Sequence, residues 1–174
     1  MREVVKSLSL YATVYNKGNV QTEELYKQNS PIFFVAIQPD SVFPGGNHPF
    51  EMDWKSNAIV LSGKKVPFGN IVSFGGTQYK LVPNETYNRA LKGKDYYVNF
   101  NSVEAVAGRL AGSLKVSPAS YQSAVLDLKM ETPVPEKGKD VLNKLLEIYN
   151  RMGIKDKNQI AEKTIEFIEE RLIT

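Results

Sequence analysis

Cysteine is absent from the 174 residues, which excludes disulfides, thiolate metal sites and thiol nucleophiles together. This absence fits a reducing cytosol and a bacterial periplasm equally well. The single histidine, His48, lies beside Pro49 and shortly after two glycines, so we expect a solvated loop residue without a partner to orient it. With one histidine, a zinc site would need three carboxylates, which is an uncommon ligand set. We therefore expect no metal site.

Long apolar runs and an excess of one charge are missing as well. No stretch reaches the roughly 18 apolar residues of a membrane-spanning helix, and residues 1–20 lack the order of a signal peptide. The 22 basic and 19 acidic residues are spread evenly and give a net charge of +3, so we expect no nucleic-acid partner. The chain is nevertheless long enough, and apolar enough, to bury a core within one domain.

Motifs of known catalytic sites are also missing. The glycine pairs at 45–46 and 75–76 open no phosphate-binding helix and instead predict turns. No serine lies in a G-x-S-x-G elbow. Adjacent carboxylates such as Glu23 and Glu24 point apart on a regular element instead of facing one substrate. We expect no catalytic residue and no cofactor.

The first half of the chain contains short runs rich in β-branched and aromatic residues. They predict strands at 13–15, 32–37, 50–54, 58–61, 71–74 and 78–82, with turn formers between them, for example at 44–47. Strands spaced this closely favour antiparallel hairpins packed as a small sandwich. The aromatic residues of this region fit the core of that sandwich better than a sugar-stacking platform: Phe33, Phe34, Phe43, Phe50, Phe68 and Phe74.

From Tyr96 onward the pattern changes to strand, helix, strand, strand and helix. Strands are predicted at 96–100, 114–117 and 124–130, and alternation in the last of these predicts one buried face. Residues 101–102 offer an N-cap for a helix at 103–112. We therefore predict an α+β fold with a mixed sheet and packed helices, a β-rich sandwich-like insertion and a long C-terminal amphipathic helix.

The C-terminal helix has the clearest periodicity in the chain. Starting near Pro135, about 36 residues would span about 54 Å, and apolar residues follow at spacings of three and four. The apolar stripe either packs on the domain's own sheet or, in its distal half, pairs with another helix, and physical reasoning leaves both open. The second alternative predicts an oligomer interface formed by Ile160, Ile165, Ile168, Glu169, Arg171 and Leu172. Because neither end has a clear stop, we expect a fragment of a longer protein.

The second half of the chain contains the segments YYVNFNSVEAVAGRLAGSLKVSPAS, SAVLDLKMETPVPEKGKDVLNKLLEIYN and DKNQIAEKTIEFIEERL, and KSLSL and TEELY lie near the start. These segments resemble the periplasmic domain of the Wzz/Wzc-type chain-length-determinant family, and most closely the capsular or exopolysaccharide tyrosine autokinases of Gram-negative bacteria. The resemblance covers most of the chain and is weakest at 38–75. Neither the kinase apparatus nor the proline-rich motif of the family is present in the sequence.

The resemblance implies a periplasmic location as part of an inner-membrane protein. The sequence as a whole predicts a single periplasmic domain fragment over 1–174. The change of pattern near residues 92–94 divides it into a β-rich subdomain at 31–92 and an α/β core plus long helix at 93–174. The expected partners are further copies of the full-length protein, the polysaccharide and its export or polymerase machinery, and the membrane only through flanking segments. A tyrosine kinase domain, if there is one, would lie outside this chain.

A second function stays open at this point. The chain could be a glycan-binding module of the cell envelope, with the single tryptophan, Trp54, stacking on a sugar ring.

Overall fold

The structure, a computed structural model, describes residues 1–18, 21–88, 95–121 and 124–172, without the side chains of Glu170 and Leu172. The helices in these ranges are α1 (Arg2–Ser7), α2 (Val103–Ser113) and α3 (Pro135–Leu172). The strands are β1 (Ala12–Lys17), β2 (Thr22–Leu25), β3 (Ile32–Ala36), β4 (Gly45–Asp53), β5 (Ala58–Leu61), β6 (Lys64–Pro67), β7 (Ile71–Phe74), β8 (Thr77–Pro83), β9 (Tyr96–Phe100), β10 (Leu114–Pro118) and β11 (Leu126–Met130).

The described strands form three sheets. The largest has the order β2-β1-β9-β4-β5-β6, the second has the order β3-β8-β7, and β10 and β11 form a separate hairpin. Helices and sheets together confirm the predicted α+β class. Every pairing between described strands is antiparallel, so the expectation of a mixed sheet was wrong in this respect. The short turns of the first half permit direct hairpins, which need no parallel crossover.

The two larger sheets pack face to face around aromatic side chains. Phe34 of β3 lies 5.5 Å from Phe50 of β4 and 5.9 Å from Phe100 of β9 between ring centroids. Tyr79 of β8 stacks on Phe100 at 4.2 Å. The sandwich is therefore built partly by β1, β2 and β9, which lie outside 31–92. The predicted boundary between subdomains, near residues 92–94, falls outside the described residues.

The three helices gather around a small apolar cluster that continues the sandwich core. Helix α1 packs against α2 and α3, and each helix contributes buried side chains: Val4 and Val5, then Val103, Val106 and Ala107, then Val141 and Ile148. Tyr11 joins this cluster to the sandwich, because its hydroxyl accepts a hydrogen bond from the Ala36 backbone at 3.0 Å. The predicted N-cap is confirmed, since Ser102 Oγ accepts a bond from the Ala105 backbone at 3.2 Å.

Some local predictions were wrong. Residues 45–47, predicted as a turn, begin strand β4, where the register against β9 shifts between Gly45 and Asn47. A bulge tolerates glycines that would otherwise end a strand. The turn predicted at Gly75 and Gly76 is confirmed, and both residues have positive φ. Helix α1 and strands β2 and β6 were not predicted, because their charged residues hide the apolar pattern.

Candidate functional site

Helix α3 has two halves in different surroundings. Its first half packs on the domain, where Val141 and Ile148 are buried. From Asn150 onward, every described side chain of the helix is exposed. The apolar stripe therefore does not pack along its full length on the domain's own sheet.

The residues predicted as an oligomer interface lie on this exposed half. Ile160, Ile165 and Ile168 are 67%, 56% and 50% exposed, which is unusual for three isoleucines on one helix. Glu169 and Arg171 are exposed as well, and the Arg171 guanidinium lies 4.7 Å from the centre of the Phe167 ring. The side chain of Leu172 lies outside the described residues. The interface itself stays a prediction.

Polar contacts fasten the start of α3 to the region around β2. Lys137 Nζ lies 2.6 Å from Glu24 Oε1, with both side chains largely buried. One turn further on, Asp140 accepts a hydrogen bond from the Tyr26 hydroxyl at 2.9 Å and pairs with Lys27 at 2.6 Å. Burial opposes ionisation of Asp140, but the bonds from Lys27 and Tyr26 outweigh it and lower the pKa of that carboxyl. The helix is thus anchored at one end and free at the other.

The hairpin of β10 and β11 forms a second exposed apolar surface. Val116, Val125 and Leu126 are each more than half exposed, and Tyr121 at the tip is almost fully exposed. The prediction that one face of β11 is buried was wrong: Leu128 and Met130 are only partly buried. A two-stranded sheet has no second layer to cover it.

The two aromatic residues singled out in the sequence both pack against other rings. Trp54, the predicted sugar contact, stacks on Tyr87 with 5.6 Å between centroids and 9° between planes, and Phe68 meets it edge-on. Its role in sugar binding stays a prediction. His48 was wrongly placed in a solvated loop: it lies on β4, partly buried, with its ring 4.6 Å from that of Phe74.

The outer face of the six-stranded sheet is polar and aromatic. Along β9 the buried residues alternate with Tyr97 and Asn99, which together with Asn101 lie on the outer face. Tyr15 of β1 is paired with Tyr97, and their rings stack at 5.0 Å with 16° between planes. Burial, and after it the Glu24 carboxylate, raises the pKa of Tyr15.

A row of three amides crosses the same face. Asn101 Nδ2 donates to Asn99 Oδ1 at 2.7 Å, and Asn99 Nδ2 donates to Asn47 Oδ1 at 3.1 Å. Each bond aligns the next amide, while Asn47 Nδ2 and Asn101 Oδ1 have no side-chain partner among the described residues. The row therefore presents a free donor at one end and a free acceptor at the other.

Two adjoining clefts lie over these residues, and Tyr97 and Asn47 line both of them. The larger, of about 750 Å³, is lined also by Lys17, Glu51 and Asp95. The smaller, of about 370 Å³, extends to α2 and includes Arg109, which forms no ion pair with any described carboxylate. We call the two clefts together the sheet-face groove. Both clefts are open to solvent.

Other described residues offer little metal chemistry. Within the described ranges, no three His, Asp or Glu side chains cluster closely enough to hold a metal ion. The expected absence of a metal, a cofactor and a catalytic residue stays a prediction. None of the described helices is both long enough and apolar enough to cross a bilayer.

Comparison with protein-family models and with curated proteins gives no match. The resemblance to the chain-length-determinant family therefore continues to depend on the segments quoted above.

Proposed function

We propose that this chain is the non-catalytic periplasmic region of an inner-membrane polysaccharide co-polymerase of the tyrosine-kinase type. In that role it regulates the chain length and export of a capsular or exopolysaccharide. Its contribution is structural: it positions copies of the full-length protein next to one another, beside the growing glycan and the export machinery. The chemistry of polymerisation and phosphorylation belongs to other domains and proteins.

The observation that carries the proposal is the exposed half of α3. A helix held only by its own hydrogen bonds is marginal in water, and most helices of this kind are stabilised by packing an apolar face. Ile160, Ile165 and Ile168 lie on one broad face, since offsets of three, five and eight residues keep them within half a turn. Burying them against a second copy would supply the missing packing, at roughly 1.5–3 kcal/mol for each fully buried side chain.

The resemblance of the quoted segments to the chain-length-determinant family is the reason for proposing a role in polysaccharide export. Ring-like oligomers are what that family implies, and a helix anchored at Lys137 and free beyond Asn150 fits this role.

Two changes test the assembly step by sedimentation velocity over a range of concentrations. A chain shortened at Asn150 should stay folded, because the residues removed are exposed, and should assemble less than the whole chain. The double variant Ile165→Ser with Ile168→Ser should behave in the same way. Its matched control, Gln159→Ser with Glu166→Ser, changes the opposite face of the helix and should leave assembly unchanged.

Identical sedimentation of the whole chain, the shortened chain and both double variants would refute assembly through α3. Circular dichroism of each protein verifies that the folded part of the chain is intact.

A further inference from the structure

We propose that the sheet-face groove binds an acidic oligosaccharide, with the sugar carboxylate at Arg109 and the sugar hydroxyls at the amide row. The choice of a glycan as ligand rests on the proposed function, whereas the position and the charge of the ligand come from the groove itself. This site is separate from Trp54 and from the exposed half of α3.

The amide row matches the chemistry of a pyranose. Each sugar hydroxyl can both donate and accept, and an asparagine side chain offers the same pair of functions. Asn47 Nδ2 and Asn101 Oδ1 are free while Asn99 between them is held by both neighbours, so the row is fixed in place before a ligand arrives. A preorganised polar site loses less entropy on binding than a flexible one.

The stacked tyrosines supply the apolar part of the site. Tyr97 lines both clefts and is braced by Tyr15, so its ring is held in one orientation. Tyrosine joins an apolar ring to a polar tip, which suits the C–H faces and the hydroxyl edges of a sugar.

Arg109 determines the charge of the ligand. It is exposed at the α2 end of the groove and pairs with no described carboxylate. A guanidinium binds a planar carboxylate through two parallel hydrogen bonds between charged partners, whereas a neutral sugar offers only uncharged acceptors. Lys17, Glu51 and Asp95 lie at the other end, in the larger cleft, where groups of both charges can bind sugar hydroxyls. The groove therefore places one sugar carboxylate at Arg109 and holds the rest of the oligosaccharide by polar contacts.

The test uses two tetrasaccharide probes of equal length, tetragalacturonate and the neutral cellotetraose, titrated into the whole chain by calorimetry. Tetragalacturonate should bind at least about tenfold more tightly than cellotetraose. Arg109→Gln should weaken tetragalacturonate binding by about ten- to hundredfold, the range expected for a lost charged hydrogen bond. Its matched control, Arg151→Gln, removes an exposed arginine on α3 and should leave binding unchanged.

The amide row is tested by NMR. On addition of tetragalacturonate, the side-chain amide signals of Asn47, Asn99 and Asn101 should shift, whereas those of Asn143, exposed on α3, should not. Asn99→Ala should weaken binding, while its melting temperature should stay well above the temperature of the titration. Asn143→Ala serves as its control.

The remaining outcomes overturn the proposal. They are no binding of either probe, equal binding of both probes, equal effects of Arg109→Gln and Arg151→Gln, and shifts confined to residues outside the groove. A change in sedimentation caused by Arg109→Gln or Asn99→Ala, with no sugar bound, would instead assign this face to a second copy of the chain. Intact sugar binding in a chain that never assembles would refute the proposed assembly function alone.

Discussion

The ion pair of Lys137 and Glu24 holds the first turn of α3 against strand β2, and its removal tests how the helix is anchored. Lys137 Nζ and Glu24 Oε1 are 2.6 Å apart, and the side chains are only 16% and 17% exposed. Lys137→Met keeps the apolar stem and removes the ammonium group, which leaves a largely buried carboxylate without its cation. Breaking a fully buried pair costs about 3–5 kcal/mol and breaking a surface pair about 0–1 kcal/mol. For this partly buried pair we expect a loss of about 2 kcal/mol.

In a chain of this length that loss lowers the midpoint of thermal unfolding by about 4–8 °C. Circular dichroism during heating measures the midpoint, and urea unfolding gives the free energy. Glu24→Gln combined with Lys137→Met should recover part of the loss, because the unpaired charge is then gone. The matched control is Lys115→Met, which removes a pair of similar length whose side chains are mostly exposed, and it should leave the midpoint unchanged. If Lys137→Met and Lys115→Met had the same effect, the anchoring argument would be refuted.

Two further predictions concern Asp140 and the exposed half of α3. Because the bonds from Lys27 and Tyr26 lower the pKa of Asp140 in the folded state, its contribution to stability is present above the unfolded value of about 3.9 and is lost as the pH falls through the folded value. Asp140→Asn should therefore reduce the fall in the free energy of unfolding on acidification, measured by urea unfolding between pH 2 and 7. An unchanged dependence of this free energy on pH would contradict the prediction. Amides of α3 beyond Arg151 should exchange with deuterium within about tenfold of unstructured rates in dilute solution and become protected as concentration rises. Uniform protection along α3 in a dilute monomer would argue against packing supplied by a second copy.

Local pattern was enough to predict most strands and the long helix. The alternation in 96–100 and the spacing of apolar residues after Pro135 survive in the structure as β9 and α3. Strands β2 and β6 were missed because each is a short piece with exposed charged residues, whose pairing is decided by neighbouring strands. His48 was misplaced for a related reason: the glycines before it belong to a bulge in β4, and only the pairing with β9 distinguishes such a bulge from a turn.

The sheet-face groove was not predicted at all, although part of its signal is visible in the sequence. The segment from Tyr96 to Asn101 alternates large apolar residues with Tyr97, Asn99 and Asn101, and a strand with one buried face must present those residues to solvent or to a ligand. What no local pattern contains is the order of the strands. Asn47 and Tyr15 reach the same face only because β9 inserts between β1 and β4, and Arg109 joins them from a helix. Sites assembled from strands that are distant in the chain become visible only when the sheet order is known. For this reason the groove could be found only in the structure, whereas the apolar stripe of α3 was visible in the sequence.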